Sequence, residues 1–218
     1  MAVKVGLKVI EIWGDSMENA VLEYEKEEIK KGQIVFYGSS SFTRWSKKYG
    51  IKPVSEVLLG KSGAKCVINR GFGSSCAEHQ LYYYDRMIRP LAPKVLVYTF
   101  FGNGKAFGYS VEENWELAQR VIAYARTDFP DIQIYLVGAR RVKADYNASE
   151  EANARRFDSM LKAFAQDTPN CHFIDQYNYE PLMRKDIYIE DNIHYNQEGY
   201  DIYTELYKTA LKEELEKY

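Results

Sequence analysis

Ile34-Val35-Phe36-Tyr37-Gly38-Ser39-Ser40-Ser41 reads as a buried strand that runs straight into a turn of small residues. Four large apolar side chains in succession leave no polar face, as suits a strand covered on both sides. Four more short runs have the same form: Cys66–Ile68, Val95–Phe100, Gln133–Val137 and His172–Ile174. Between and after them, apolar residues return at helical spacing: Trp115, Ala118, Ile122 and Ala125; then Phe157, Met160, Leu161 and Phe164; then Tyr203, Leu206, Tyr207, Ala210 and Leu211. Each stripe is a face turned toward a core. Strands alternating with such helices predict an α/β protein with a parallel sheet. The residues ahead of Ile34 read as a lead-in arm over 1–33. It comprises an edge strand around Val5–Ile12 and a charged helix from about Met17 to Lys31, stopped by Gly32.

The totals narrow the function. A chain of 218 residues without a Pro/Gly/Ser-rich linker or internal repeat suits a single domain over 1–218. A formal net charge of −2 gives no reason to expect nucleic acid or an acidic membrane surface as partner. Apolar runs such as Val95–Phe101 are too short to span a bilayer. Lys8, Glu11 and Asp15 interrupt any signal-like segment, so the expected location is cytoplasmic. Cys66, Cys76 and Cys171 are too scattered for a disulfide framework or a zinc site and read as small buried hydrophobes. Asn147-Ala148-Ser149 spells a glycosylation sequon and is read as a chance match. Nothing in the sequence sets an oligomeric state.

Functional groups in a parallel sheet gather beyond the carboxyl ends of the strands, which is where Ser40 stands. Taken alone, Gly-Ser-Ser-Ser reads better as a turn plus a helix N-cap. The late segment Asp191-Asn192-Ile193-His194 tips the balance, because a carboxylate and an imidazole three positions apart can convert a hydroxyl into a nucleophile. Of the three histidines, His79 sits at a helix start and His172 in a strand, so His194 is the candidate base. Gly14-Asp15-Ser16 spells a hydrolase motif in the wrong setting: Asp15 and Glu18 look like a helix-capping arrangement, and the motif is read as a decoy.

Together these segments resemble the SGNH (GDSL-type) hydrolase family, mostly esterases, lipases and carbohydrate deacetylases, over about Tyr24 to Leu211. Ile34 to Trp45 is similar to the nucleophile block in the branch with Gly-Ser-Ser-Ser. Val67-Ile68-Asn69-Arg70-Gly71-Phe72-Gly73-Ser74 is similar to the block that gives a backbone donor to the oxyanion hole. Val95 to Gly104 resembles the Gly-x-Asn-Asp block, and Asp191 to His194 the Asp-x-x-His block. The resemblance implies a three-layer α/β/α sandwich with a flavodoxin-like parallel five-stranded sheet and a Ser40, His194 and Asp191 triad. It also implies an oxyanion hole from the Ser40 N–H, a backbone N–H at Ser74 or Gly73, and the Asn103 side chain. Departures are Ser39 for the usual aspartate, Ser74 for a glycine, and Phe101 and Gly104 for the first glycine and last acid of the third block.

The implied activity is hydrolysis of a small or short-chain acyl ester, such as an acetyl ester on a carbohydrate, through an acyl-enzyme that requires no metal and no cofactor. Phe42, Trp45 and Phe101 are the expected substrate-wall residues, with Phe100, Phe107 and Tyr109 nearby in sequence. Two rivals stay open: a catalytically silent relative that binds an acylated ligand or partner, and a flavodoxin-like binding domain with an accidental triad.

Overall fold

The computed structural model describes residues 6–141 and 148–218, with backbone alone over 6–14. Strands β1 (Ile34–Gly38), β2 (Val67–Gly71), β3 (Val95–Tyr98), β4 (Gln133–Val137) and β5 (Cys171–Ile174) form one sheet in the order β2-β1-β3-β4-β5. Every neighbouring pair is parallel. The helices are α1 (Gly6–Glu25), α2 (Ser40–Thr43), α3 (Val54–Val57), α4 (Ala77–Tyr82), α5 (Tyr84–Met87), α6 (Val111–Asp128), α7 (Ala148–Asp167), α8 (Gln197–Ala210) and α9 (Lys212–Leu215), joined in places by short 3-10 turns.

Successive strand residues point to opposite faces, and the core divides accordingly. Val35, Tyr37, Leu96, Tyr98, Ile134 and Leu136 pack with residues of α1, α4, α5, α6 and α7, including Val21, Ala77, Met87, Trp115 and Phe157. Ile34, Phe36, Val95, Val97, Tyr135 and Val137 pack with Phe42, Val54, Tyr203, Tyr207 and Leu215, on α2, α3, α8 and α9. The three layers expected from the resemblance are thus present. β3 stops at Tyr98 rather than Phe100, and both Thr99 and Phe100 stay buried beyond it. The three cysteines are buried and free. Asn147 of the sequon lies outside the described residues. Among the described residues no helix is long and apolar enough to cross a membrane.

The arm ahead of β1 departs from expectation. No strand forms around residues 6–12; the backbone is helical from Gly6 to Glu25. Short apolar alternation cannot by itself distinguish a strand from one side of a helix, and here Met17 and Val21 carry a helical stripe into the core. The helix also ends six residues before Lys31. Beyond Tyr24 the one apolar side chain is Ile29, 58% exposed, so no packing surface remains to hold further turns.

β2 is a sheet edge closed by its own neighbours. Its Cys66 carbonyl and Phe72 N–H both bond to β1, each at 2.9 Å, so the backbone groups of Asn69 and Gly71 point outward. The Asn69 side chain accepts the Gly71 N–H at 2.9 Å, the Tyr24 hydroxyl donates to the Gly71 carbonyl at 2.6 Å, and the Arg70 guanidinium donates to the Asn69 carbonyl at 3.0 Å. These contacts block pairing with a foreign strand, and the Arg70–Glu27 ion pair at 2.6 Å ties the end of the arm to the same edge.

Candidate active site

The chain steps from β1 outward to β2 and then back across β1 to β3. Loops leaving β1 and β3 therefore diverge, which opens a crevice at their carboxyl ends. A cavity of about 710 Å³ lies there, lined by Ser39, Ser40 and Ser41 after β1, Thr99 and Phe101 to Lys105 after β3, Arg140 after β4, Gln176 after β5, Ile193, and residues of α6 and α7.

Ser40 is the first residue of α2, following Ser39 at φ −101°. Its N–H therefore has no carbonyl partner within the helix, and its half-buried hydroxyl makes no hydrogen bond among the described residues. Glycine is required at position 38 because a Cβ there would collide with the Thr99 side chain and press on the Phe42 ring. Phe42 and Trp45, expected as substrate-wall residues, are 0% and 1% exposed. They pack inward on an aromatic cluster, with Phe36 at 5.0 Å from Phe42 and Tyr203 at 5.4 Å from Trp45. Their part is to anchor the Ser40 turn on the sheet and α8; substrate contact at these two positions is corrected to core packing. The Tyr200 hydroxyl adds a 2.8 Å hydrogen bond to the Ser41 carbonyl.

Asp191 and His194 meet directly. One carboxylate oxygen, Oδ1, accepts the backbone N–H of both Ile193 and His194 at 2.9 Å, and Oδ2 lies 2.5 Å from His194 Nδ1. The three-position spacing works because an aspartate can bond the backbone two and three residues ahead of it, with Asn192 taking the left-handed φ of +56° that the turn needs. Asn196 caps α8 by accepting the Gly199 N–H at 3.0 Å, so the turn is seated on a regular helix.

The electrostatics separate the two groups. Burial raises the Asp191 pKa, but hydrogen bonds from the His194 ring and from the His194 and Ile193 N–H groups outweigh it and bring the carboxyl down to about 2. For His194, burial lowers the imidazole below its ordinary value, the Asp191 hydrogen bond opposes this, and the Arg140 and Arg44 cations push the same way as burial. At neutral pH the pair is a carboxylate and a neutral imidazole. Ionised Asp191 can only accept, so Nδ1 carries the proton and Nε2 presents its lone pair. Nε2 is buried and has no hydrogen-bond partner among the described residues.

Ser40 and His194 make no hydrogen bond to each other, and neither Asp191 nor His194 lines the cavity, but their turns meet at one rim. The cavity holds Ser40 and Ile193 together, and the Arg44 guanidinium, four residues after Ser40, lies 3.9 Å from Asp191 Oδ2. Such contacts commonly tighten only with substrate bound. Asn103 also lines the cavity, with its Nδ2 donating to the Ser75 carbonyl at 2.9 Å; an amide nitrogen keeps a second hydrogen to give. Ser74 occupies the left-handed region at φ +63°, the conformation a glycine would take more cheaply. Neither Gly73 nor Ser74 lines the cavity, although both lie in the turn leading to Ser75.

Phe101 is half-buried, lines the cavity and packs on Phe157 at 4.7 Å, while Phe100 is wholly core. His79 is buried with Nδ1 3.2 Å from the Cys76 N–H, and His172 pairs with Gln133 at 2.9 Å, both in structural roles. Asp15 and Ser16 are exposed on α1. Sequence reasoning passed over Thr99, Asn114, Arg140 and Gln176, all of which line the cavity. Three of them, Thr99, Arg140 and Gln176, stand within three residues of a strand's carboxyl end, so the rule that singled out Ser40 also points to them. Asn114 has its own signal, a polar residue beside Trp115 in an apolar stripe.

Solved structures share this architecture. A protein from Streptococcus pneumonia assigned as a platelet activating factor is 19% identical, with 98% of this chain and 100% of that chain covered and a TM-score of 0.73. A GDSL-like lipase from Bacteroides thetaiotaomicron is 17% identical, with coverage of 91% and 98% and a TM-score of 0.68. The acetyl xylan esterase AlAXEase is 18% identical, with coverage of 82% and 99% and a TM-score of 0.66. At these identities the likeness concerns the fold, which is that of the GDSL-like lipases. No protein-family model matches the sequence, and no curated protein sequence matches it.

Proposed function

We propose that this chain is a serine ester hydrolase acting on small or short-chain acyl esters. The observation that carries the reading is a neutral imidazole held by Asp191, its Nε2 buried and unpaired among the described residues, on the turn whose Ile193 lines the same cavity as Ser40. Ser40 Oγ attacks the acyl carbonyl carbon as its proton passes to Nε2, forming a tetrahedral oxyanion. The ester C–O bond breaks, the alcohol leaves with that proton, and the acyl group remains on Ser40. Water then repeats the sequence, giving its proton to Nε2 and releasing the acid and free Ser40.

The oxyanion is met by the Ser40 N–H and the Asn103 amide, both at the cavity; a third donor from the Ser74 or Gly73 N–H would need that turn to shift toward it. Losing one donor typically costs about 10²–10³ in turnover. Asn103→Ala is therefore expected to lower kcat by about that factor with KM little changed, as read from steady-state kinetics on p-nitrophenyl acetate.

Cavity chemistry supports the short acyl group. Its lining includes the apolar Phe101, Val111, Phe157 and Ile193, and also Lys105 paired with Glu150 and Arg156 paired with Glu112. A long alkyl chain would strip water from those charges. The names of the structural neighbours, a lipase and an acetyl xylan esterase among them, support ester hydrolysis.

A fluorophosphonate probe tests the reading. Labelling of Ser40 that is lost in His194→Ala, with faster hydrolysis of p-nitrophenyl acetate than octanoate, is the expected result. One observation favours a second reading, a binding protein of this fold without turnover: neither Gly73 nor Ser74 borders the cavity. That reading expects no labelling. Labelling at Ser16 would instead restore the Gly14-Asp15-Ser16 motif.

A further inference from the structure

We propose that Arg44 is a positioning residue, whose guanidinium locks the Asp191–His194 turn against the Ser40 turn; the inference rests on the ester-hydrolase reading above. Arg44 belongs to both halves of the site. Its backbone N–H donates to the Ser40 carbonyl at 2.9 Å. Its guanidinium lies over the Tyr49 ring at 4.9 Å to the centroid and 3.9 Å from Asp191 Oδ2, the same oxygen that holds His194 Nδ1. Residues 40 and 194 are far apart in the chain, and this contact bridges their two loops at the triad itself. The planar guanidinium can face the ring and the carboxylate at once, which a lysine ammonium does less well.

The same placement gives Arg44 an electrical effect on the base. Among the described residues, three charged groups act on His194: Asp191 from its own turn, Arg44 from the segment after β1, and Arg140 from the segment after β4. The surrounding Tyr195 and Tyr200 hydroxyls are raised by burial and stay neutral. Arg44 therefore holds the imidazole in place while opposing its protonation. A merely structural ion pair would do neither. With Arg44 and Asp191 29% and 35% exposed, such a pair stabilises little.

The test compares the unaltered protein with Arg44→Gln and Arg44→Lys in three measurements. The rate of fluorophosphonate labelling of Ser40 should fall about 10-fold in Arg44→Gln, with partial recovery in Arg44→Lys, as expected when a nearby side chain no longer sets the reacting geometry. The His194 ring resonance, assigned by its loss in His194→Gln, should titrate at higher pH in Arg44→Gln because an opposing cation is gone. The melting temperature should move by no more than about 2 °C. Unchanged labelling and an unmoved His194 titration would overturn the proposal, as would a labelling loss that Arg44→Lys fails to restore in any part. If the unaltered protein neither labels nor hydrolyses esters, the enzyme reading fails, and the His194 titration still decides whether Arg44 acts on that ring.

Discussion

Alanine at position 40 is expected to abolish ester hydrolysis, a loss of about 10⁴-fold or more in kcat, while leaving the fold intact. The two halves of this expectation have separate causes. The Ser40 hydroxyl makes no hydrogen bond among the described residues and the residue is half-buried, so removing one oxygen deletes no structural contact. The turn around it is held by other groups: Phe42 and Trp45 in the aromatic cluster, the Tyr200 hydroxyl on the Ser41 carbonyl, and the close approach of Gly38 to Thr99. A change of that kind usually costs under about 0.5 kcal/mol. Steady-state kinetics with a thermal melt on the same sample check both halves. Retention of a tenth of the activity in a well-folded Ser40→Ala protein would move the nucleophile elsewhere.

Asp191→Asn is the second large effect, about 10⁴-fold in kcat, by a different route. The amide keeps the shape of the carboxylate but brings a donor to Nδ1. The imidazole then holds its proton on Nε2, where it cannot accept one from Ser40. The pH profile reports the same chemistry. In the unaltered protein, burial first and then the arginines lower His194, with the Asp191 hydrogen bond opposing them, so the base is already neutral at pH 7. The acid limb of kcat/KM should fall below the ordinary imidazole value of about 6.5. Asp191, brought down to about 2, contributes no limb of its own near neutrality. In Asp191→Asn the opposing hydrogen bond is lost, and the limb should move to still lower pH at a far lower plateau.

Stability carries the same sign. The folded His194 binds its proton less readily than the unfolded chain does. Protonation therefore favours unfolding as pH falls from about 6.5 through the folded value, and above that window this group adds no pH dependence. A pH–rate profile flat down to pH 5 in both proteins is compatible with the lowered base, whereas a limb near pH 8 would contradict it.

How much was legible in advance varies with how local the cause is. The inner strands were readable because a strand buried on both faces must be largely apolar, the edge strands β2 and β5 by the apolar part of their runs alone, since they carry Asn69, Arg70 and exposed His172, and the three helical stripes because one face must reach the core. The arm was misread because alternation over residues 5–12 fits two structures, and what selects the helix is the surface that Met17 and Val21 meet. Phe42 and Trp45 looked like substrate contacts because they follow Ser40 closely. Their burial depends on Tyr200, Tyr203 and Tyr207, more than 150 positions later, which no local pattern reveals.

The amino-acid sequence by itself determined the alternation of strands and long helices from Ile34 onward, the strand-to-turn setting of Ser40, and the three-position spacing that lets Asp191 hold His194. All of these follow from periodicity and short-range hydrogen bonding. Only the tertiary structure decided which aromatic rings face the cavity and which the core, that Arg44 and Arg140 bear on the imidazole, and that the turns carrying residues 40 and 194 share one rim. Burial and charge at a site are set by whatever the fold brings beside it from distant parts of the chain, and the sheet order that does so is not written in any one segment.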